Sequence, residues 1–82
     1  MKITYSQHAR EKLSTLQAHR VDLSEEFIEE ALLNPDKIVS GFGGRLIAQK
    51  ALDDRHVLRV VYTLQENQIR VVTLYPARRE GY

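Results

Sequence analysis

The chain contains no cysteine, which excludes a disulfide framework and a cysteine-ligated zinc site. It also lacks any apolar run near the roughly 18 residues that a membrane-spanning helix needs. The first ten residues, MKITYSQHAR, have no apolar region of the kind found in signal peptides. Repeats, linkers and low-complexity segments are missing as well. The length of 82 residues predicts one domain over residues 1–82, and these absences predict a location in the cytoplasm without a membrane anchor.

The charges of the chain are unevenly distributed. Its net charge is only +1, but six of its eleven acidic residues fall in residues 21–37. Basic residues outnumber acidic ones on both sides of that segment. The pattern is compatible with ordinary solvated faces. It also predicts a basic sheet surface that faces an anion, with an acidic helix turned elsewhere.

The N-terminal quarter has the apolar spacing of an amphipathic helix. Ser6 is a suitable N-cap, and the helix is expected to run from about Gln7 to Arg20. At 100° per residue its apolar side chains form one stripe. The stripe consists of Ala9, Leu13, Leu16 and the stem of Arg20.

A second, acidic helix follows. Asp22 or Ser24 is its expected N-cap, and Asn34 followed by Pro35 ends it. Its stripe of apolar side chains consists of Phe27, Ile28, Ala31 and Leu32, and its opposite face of Glu25, Glu26, Glu29 and Glu30.

From Lys37 onward the apolar period changes from helical spacing to alternation, which is typical of strands. Short polar or glycine-rich turns separate four such segments, so each strand is expected to pair with the next. The segments are KIVSGF, RLIAQKAL, VLRVVYTL and IRVVTLYP. The sequence therefore predicts an α+β fold, with two N-terminal helices packed on one face of a four-stranded antiparallel sheet.

The turn at residues 53–56 leads to a prediction about a binding site. Folding the chain about this turn pairs Lys50 with Arg59, and like charges directly opposite each other destabilise a sheet. The pairing becomes favourable if a phosphate binds between them. The alternative is that both side chains splay into solvent. Arg70 is expected on the same face, with Arg78 and Arg79 at the end of the last strand.

The same alternation predicts the composition of the two sheet faces. The face that packs on the helices is expected to include Ile47, Ala51, Leu58, Val60, Tyr62, Leu64, Ile69, Val71 and Tyr75. The other face is expected to have an apolar floor beneath its cations, consisting of Leu46, Ala48, Val61, Val72 and Leu74.

The available side chains suit RNA cleavage without a metal ion or cofactor. Asp53 and Asp54 are adjacent in a turn and would rarely chelate one metal ion, whereas a hydrolytic metal site needs several converging ligands. In metal-free cleavage the RNA supplies its own 2′-hydroxyl nucleophile. The protein then needs a base, an acid and cations. His8 is a candidate base, because the positive end of its helix dipole favours neutral imidazole. Its alternative is a purely structural histidine.

Several segments, in order, resemble a known family. YSQHAREKL, DLSEEFIEEALLNPDKIV, GGRLIAQKAL, VLRVVYTL and IRVVTLYP together resemble the bacterial domain-of-unknown-function family numbered 4258. That family looks like part of the wider group of RelE- and BrnT-like toxins. The resemblance implies a RelE-like fold, metal-independent ribonuclease activity and control by an antitoxin-like protein.

The resemblance also implies roles for individual residues. By position, Lys50, Arg59, Arg78 and Tyr75 correspond to the catalytic basic residues and C-terminal tyrosine of RelE-like nucleases. His8 matches the early histidine of the 4258 family, to which the resemblance assigns no role. Its place in the expected catalytic set follows only from its position in the first turn of the helix. Additional RNA contacts are expected from Arg45, Arg70 and Arg79. The alternative function is a non-catalytic module that uses the same sheet face to bind a protein partner or to form a homodimer.

Overall fold

The computed structural model describes residues 2–19 and 23–79. Within these ranges the chain forms two helices and five strands, in an α+β arrangement. The elements, in chain order, are β1 (Lys2–Tyr5), α1 (Gln7–Ala18), α2 (Glu25–Leu33), β2 (Lys37–Ser40), β3 (Leu46–Ala51), β4 (His56–Gln65) and β5 (Gln68–Arg78).

The strands form one sheet in the order β1-β5-β4-β3-β2. Strands β2 to β5 are antiparallel neighbours, as predicted, whereas β1 lies parallel to β5. The prediction of four strands was therefore wrong. Strand β1 has only four residues, and its first pair joins Lys2 to Gln68. Such a short segment gives almost no alternation signal, and its partner lies near the other end of the chain.

Both helices begin and end close to the predicted residues. The Ser6 side chain accepts a hydrogen bond from the Ala9 amide (3.0 Å), and that of Ser24 accepts one from the Phe27 amide (3.1 Å). Helix α2 ends before Asn34, as predicted. Arg20 and Asp22 lie outside the described residues. No helix in the described ranges is long and apolar enough to cross a membrane.

The core lies between the helices and one face of the sheet, here called the helix face. The described residues of both predicted helix stripes are buried or packed against this core. The buried core residues are Ala9 and Leu13 from α1, Ile28, Ala31 and Leu32 from α2, Leu23 before α2, and Ala48, Leu58, Val60, Tyr62, Ile69, Val71 and Leu74 from the sheet.

The β3–β4 hairpin differs by one residue from the predicted register. Arg59 lies opposite Gln49, and Lys50 lies opposite Leu58. The reason is the turn: the Asp53 carboxylate accepts hydrogen bonds from the backbone N–H groups of Arg55 (2.7 Å) and His56 (2.8 Å). These bonds make His56 the first residue of β4. A shift of one residue exchanges the faces of a strand, so Lys50 and Arg59 project from opposite sides of the sheet.

Strand β5 contains a β-bulge. Val61 pairs with Thr73, but Tyr62 pairs with Val71, so Val72 is an extra residue. A bulge interrupts the alternation of side chains. As a result Leu74 joins the core with Val71, and Tyr75 projects from the opposite face. The sequence prediction, which continued the alternation without a break, placed Leu74 and Tyr75 on the wrong faces.

Candidate functional site

The sheet face opposite the core is here called the open face, because both described helices pack on the other side. A line of directly opposed residues crosses it from β2 to β5, and the residues of each pair point to the same side of the sheet. We call this line the cross-strand row; it consists of Lys37, Gln49, Arg59 and Tyr75. With neighbouring strands about 4.8 Å apart, its backbone spans about 14 Å.

Arg59 and Tyr75 form the centre of the cross-strand row. The guanidinium carbon of Arg59 lies 5.7 Å from the centre of the Tyr75 ring, which is within range of a cation–π contact. Both side chains are partly buried, and the neighbouring Gln49 is buried. Lys37 and Arg59 also make further interactions within the chain. These contacts restrict the motion of the side chains in the cross-strand row.

Arg70 is the further predicted RNA contact that lies on the open face. It is exposed and pairs with Thr63 on β4 and Thr4 on β1. Because Thr63 is four residues along β4 from Arg59, the two arginines are separated by about 13 Å along the strand. The open face thus carries cations at both its centre and its β1 side.

Lys50 does not belong to this site, contrary to the prediction. Its ammonium group donates a hydrogen bond to the backbone carbonyl of Asn34 (2.9 Å), the residue that ends α2. A cation at the C-terminal end of a helix interacts favourably with the unpaired carbonyls and with the dipole. The repulsion predicted between Lys50 and Arg59 therefore does not exist, and Lys50 stabilises the α2–β2 connection instead.

His8 is also separated from the cross-strand row. It is the second residue of α1 and is exposed, so it belongs to the helical layer on the other side of the sheet. The structure does not bring His8 together with Arg59 and Tyr75, and the five predicted catalytic residues do not form one cluster.

The other three predicted arginines lie at the borders of the sheet. Arg78 pairs with His56 at the end of β5. Because side chains alternate after the bulge, Arg78 lies on the same side as Leu74, which is the helix face. The backbone N–H of Arg79 donates to the carbonyl of Arg55 (2.8 Å). Arg45 is exposed in the β2–β3 loop. Their side chains are exposed, and none of the three belongs to the cross-strand row.

Tyr5, three residues before His8, has a structural environment. It projects from β1 toward the helices and packs against the core, with the guanidinium carbon of Arg10 5.8 Å from its ring centre. Burial, followed by the nearby carboxylates of Glu25 and Glu29, raises the pKa of Tyr5. The segment from Tyr5 to His8 thus lies where β1, α1 and α2 meet, away from the open face.

Two residues of the row, Lys37 and Gln49, were missed by the sequence analysis. Gln49 is polar within an apolar strand, and such a residue is normally buried only with a specific role. That signal was available, but the predicted register placed Lys50 in its position opposite Arg59. Across residues 2–19 and 23–79, no group of three or more His, Cys, Asp or Glu side chains is arranged to hold a metal ion.

The fold and the site together define a small α+β domain with one helix-covered sheet face and one open, partly cationic face. Residues 5–76 match the model of the family described as "Domain of unknown function (DUF4258)". The chain belongs to this family, as its resemblance predicted. No curated protein and no solved structure matches the chain.

Proposed function

We propose that this chain is a toxin-type RNA-binding domain of the RelE-like kind, which binds an RNA strand on its open face and cleaves it without a metal ion. The cross-strand row is the observation that supports this proposal most directly. It aligns two cations, an amide and a phenol across four strands. Arginine binds phosphate as a planar fork and lysine as a point charge, while an aromatic ring can stack on a base.

The absence of most of the predicted apolar floor from the exposed part of the open face supports RNA over a protein partner. Val57 and Val61 project from this face but are only 3% and 8% exposed. Three residues of the predicted apolar floor, Leu46, Ala48 and Leu74, lie on the helix face instead. A protein interface normally has an apolar, aromatic-rich centre. The alternative, a protein-binding or homo-oligomerising module that uses the open face, is the second candidate function.

The proposed cleavage requires few protein groups. The 2′-oxygen of the RNA forms a bond to the adjacent phosphorus while the bond from phosphorus to the 5′-oxygen breaks, which leaves a cyclic phosphate. One group accepts the 2′ proton and another gives a proton to the leaving oxygen. In our proposal Arg59 and Lys37 stabilise the charge that develops on the phosphate. Tyr75 gives a proton to the leaving 5′-oxygen, and a solvent water accepts the 2′ proton.

RNA binding is tested by titrating a labelled single strand at several salt concentrations. Three contacts, from Lys37, Arg59 and Arg70, predict that log affinity falls with log salt with a slope of about −2, since each phosphate contributes roughly −0.7. Arg59→Ala should weaken binding and make the slope shallower by about 0.7. Arg55→Ala, which removes an exposed arginine from the β3–β4 turn, is the matched control. Absence of binding at low salt, or equal effects of both variants, would reject the proposed surface.

Cleavage is tested separately with end-labelled RNA in excess EDTA. We expect cleavage to persist, with a cyclic phosphate at the new 3′ end. Tyr75→Phe should abolish cleavage while RNA affinity is retained, because the ring stays and only the hydroxyl is lost. Activity that disappears with EDTA and returns with magnesium would overturn the metal-independent mechanism. Binding without any cleavage would leave an RNA-binding domain and remove the toxin assignment.

An antitoxin-like protein is the partner that a RelE-like toxin would require. The chemistry of the open face suggests that such a protein would present acidic side chains to Arg59 and Arg70. A small open reading frame beside the gene, whose product binds this chain and blocks its binding of RNA, would support the proposal. Binding of that product elsewhere, with RNA binding unchanged, would count against it.

A further inference from the structure

Exposed large apolar side chains are concentrated around one edge of the sheet. The described residues contain four of them: Leu33 (56% exposed), Ile38 (50%), Phe42 (96%) and Leu64 (52%). The first three fall within ten consecutive residues that include β2. Single exposed apolar residues are common on protein surfaces, but a cluster of them indicates an interaction site.

Strand β2 is an edge strand whose described neighbour is β3. An edge strand presents unpaired backbone N–H and C=O groups on its outer side. Natural proteins usually protect such edges with short strands, charges, prolines or a covering segment, and β2 has only four residues, one of them the exposed Lys37. Here the middle of the strand exposes Ile38, and the next loop exposes Phe42 almost completely. That loop is shaped by Gly43 and Gly44, whose φ angles of 72° and 79° favour glycine.

We propose that β2 pairs antiparallel with β2 of a second copy of this chain, about a two-fold axis that passes beside Ile38. The order of the exposed residues suits a second copy, because Leu33, the last residue of α2, precedes Ile38 by five residues and Phe42 follows Ile38 by four. The axis places each Ile38 opposite the other. It also brings Phe42 of each copy to the α2–β2 connection of the other, next to Leu33. One isologous contact thus covers all three residues.

The charged residues favour an axis beside Ile38 over an axis beside Lys37 or Val39. With Ile38 at the axis, Lys37 lies opposite Val39, and Asp36 lies beyond it opposite Ser40, so no like charges meet. An axis beside Lys37 would place two ammonium groups opposite each other, which destabilises a pair. An axis beside Val39 would direct Phe42 toward Asp36 instead of an apolar neighbour. Both copies would keep their helices on the same side of one continuous sheet, which leaves the proposed RNA surface uncovered.

Single cysteines test the register directly, because the natural chain has none. Directly opposite residues of an antiparallel pair have Cα atoms about 4.5–5.5 Å apart, a separation that a disulfide can span. Oxidised glutathione should therefore convert Ile38→Cys to a covalent dimer faster than Val39→Cys. Leu64→Cys is the matched control, since Leu64 has nearly the same exposure as Ile38 but lies on β4. Equal rates for Ile38→Cys and Leu64→Cys, or a faster rate for Val39→Cys, would overturn the proposal.

Sedimentation across a range of concentrations tests the association itself. The unmodified chain should reach a dimer, and Ile38→Asp should weaken dimerisation by about tenfold or more by opposing two carboxylates. Phe42→Ser should also weaken it and cannot affect the core, because Phe42 is almost fully exposed. Leu64→Ser should leave the dimer unchanged. A chain that stays monomeric overturns the proposal. The proposal is also overturned if a strand from another protein pairs with this edge instead of a second copy. RNA binding is measured separately, so failure here does not affect the proposed function.

Discussion

Arg59 of β4 lies over the ring of Tyr75 on β5, with its guanidinium carbon 5.7 Å from the ring centre. The two residues are directly opposite in the sheet, so the contact joins neighbouring strands on the open face. It depends on the bulge at Val72, which turns Tyr75 away from the core. The centre of the proposed RNA surface is thus produced by an irregularity in β5.

A double-mutant cycle should measure this contact. Arg59→Met and Tyr75→Leu, alone and together, should give a coupling free energy of unfolding of about 0.5–1 kcal/mol, which is typical of a partly exposed cation–π pair. Urea unfolding is the measurement. The cycle cancels the loss of the other Arg59 interactions, since these are absent in both arginine variants. Strictly additive effects would show that the two side chains are close without stabilising each other.

Lys50→Met should reduce stability and leave RNA affinity unchanged. The substitution keeps an apolar stem but removes the hydrogen bond to the Asn34 carbonyl, at an expected cost of about 1 kcal/mol. Lys12→Met on α1 is the control for the loss of a lysine charge and should cost less. If Lys50→Met instead abolished RNA binding at unchanged stability, Lys50 would belong to the functional surface after all.

Ser6→Ala should cost more stability than Ser24→Ala. Both substitutions remove an N-cap hydrogen bond, worth about 1 kcal/mol. Ser6 also donates its hydroxyl to the carbonyl of Val72 in the bulge (2.8 Å), which adds about 1 kcal/mol. Urea unfolding of the two variants compares them directly. Equal losses would mean that the hydrogen bond to the bulge contributes nothing measurable.

The β3–β4 turn should loosen in acid. The Arg55 amide is the main cause that holds the pKa of Asp53 below its ordinary value, and His56 contributes further hydrogen bonds. A lowered pKa means that folding favours the carboxylate. Its contribution is therefore complete above about pH 4, the pKa of an unperturbed aspartate, and is lost as the pH falls through the folded value.

Hydrogen exchange of the Arg55 and His56 amides should report this loss. Protection of both amides should decrease as the pH falls below about 4, after correction for the intrinsic pH dependence of exchange. Asp53→Asn keeps a carbonyl acceptor but cannot ionise, so its protection should not change with pH in this range. A pH-dependent loss that is the same in Asp53→Asn would exclude the carboxylate as the cause.

Local chemistry in the sequence was sufficient for the helices and for the existence of β2 to β5. Capping by Ser6 and Ser24 involves residues three positions apart, and the apolar stripes follow from helical spacing. The antiparallel order of β2 to β5 also followed from short connections between consecutive strands. In the site, Arg59 and Arg70 were correctly assigned to one face. Arg70 pairs with Thr63, and no extra residue interrupts β4 between Thr63 and Arg59.

Tertiary structure alone decided the parallel pairing of β1, the register of β3 with β4, and the bulge in β5. Each depends on contacts between residues far apart in the chain or on the detailed hydrogen bonding of a turn. Because side chains alternate with a period of two, a one-residue change reverses a whole face. This is why Lys50 lies outside the predicted site, why Tyr75, already expected in the site, projects from the face opposite to the predicted one, and why Gln49 and Lys37 complete a row that the sequence pattern did not reveal.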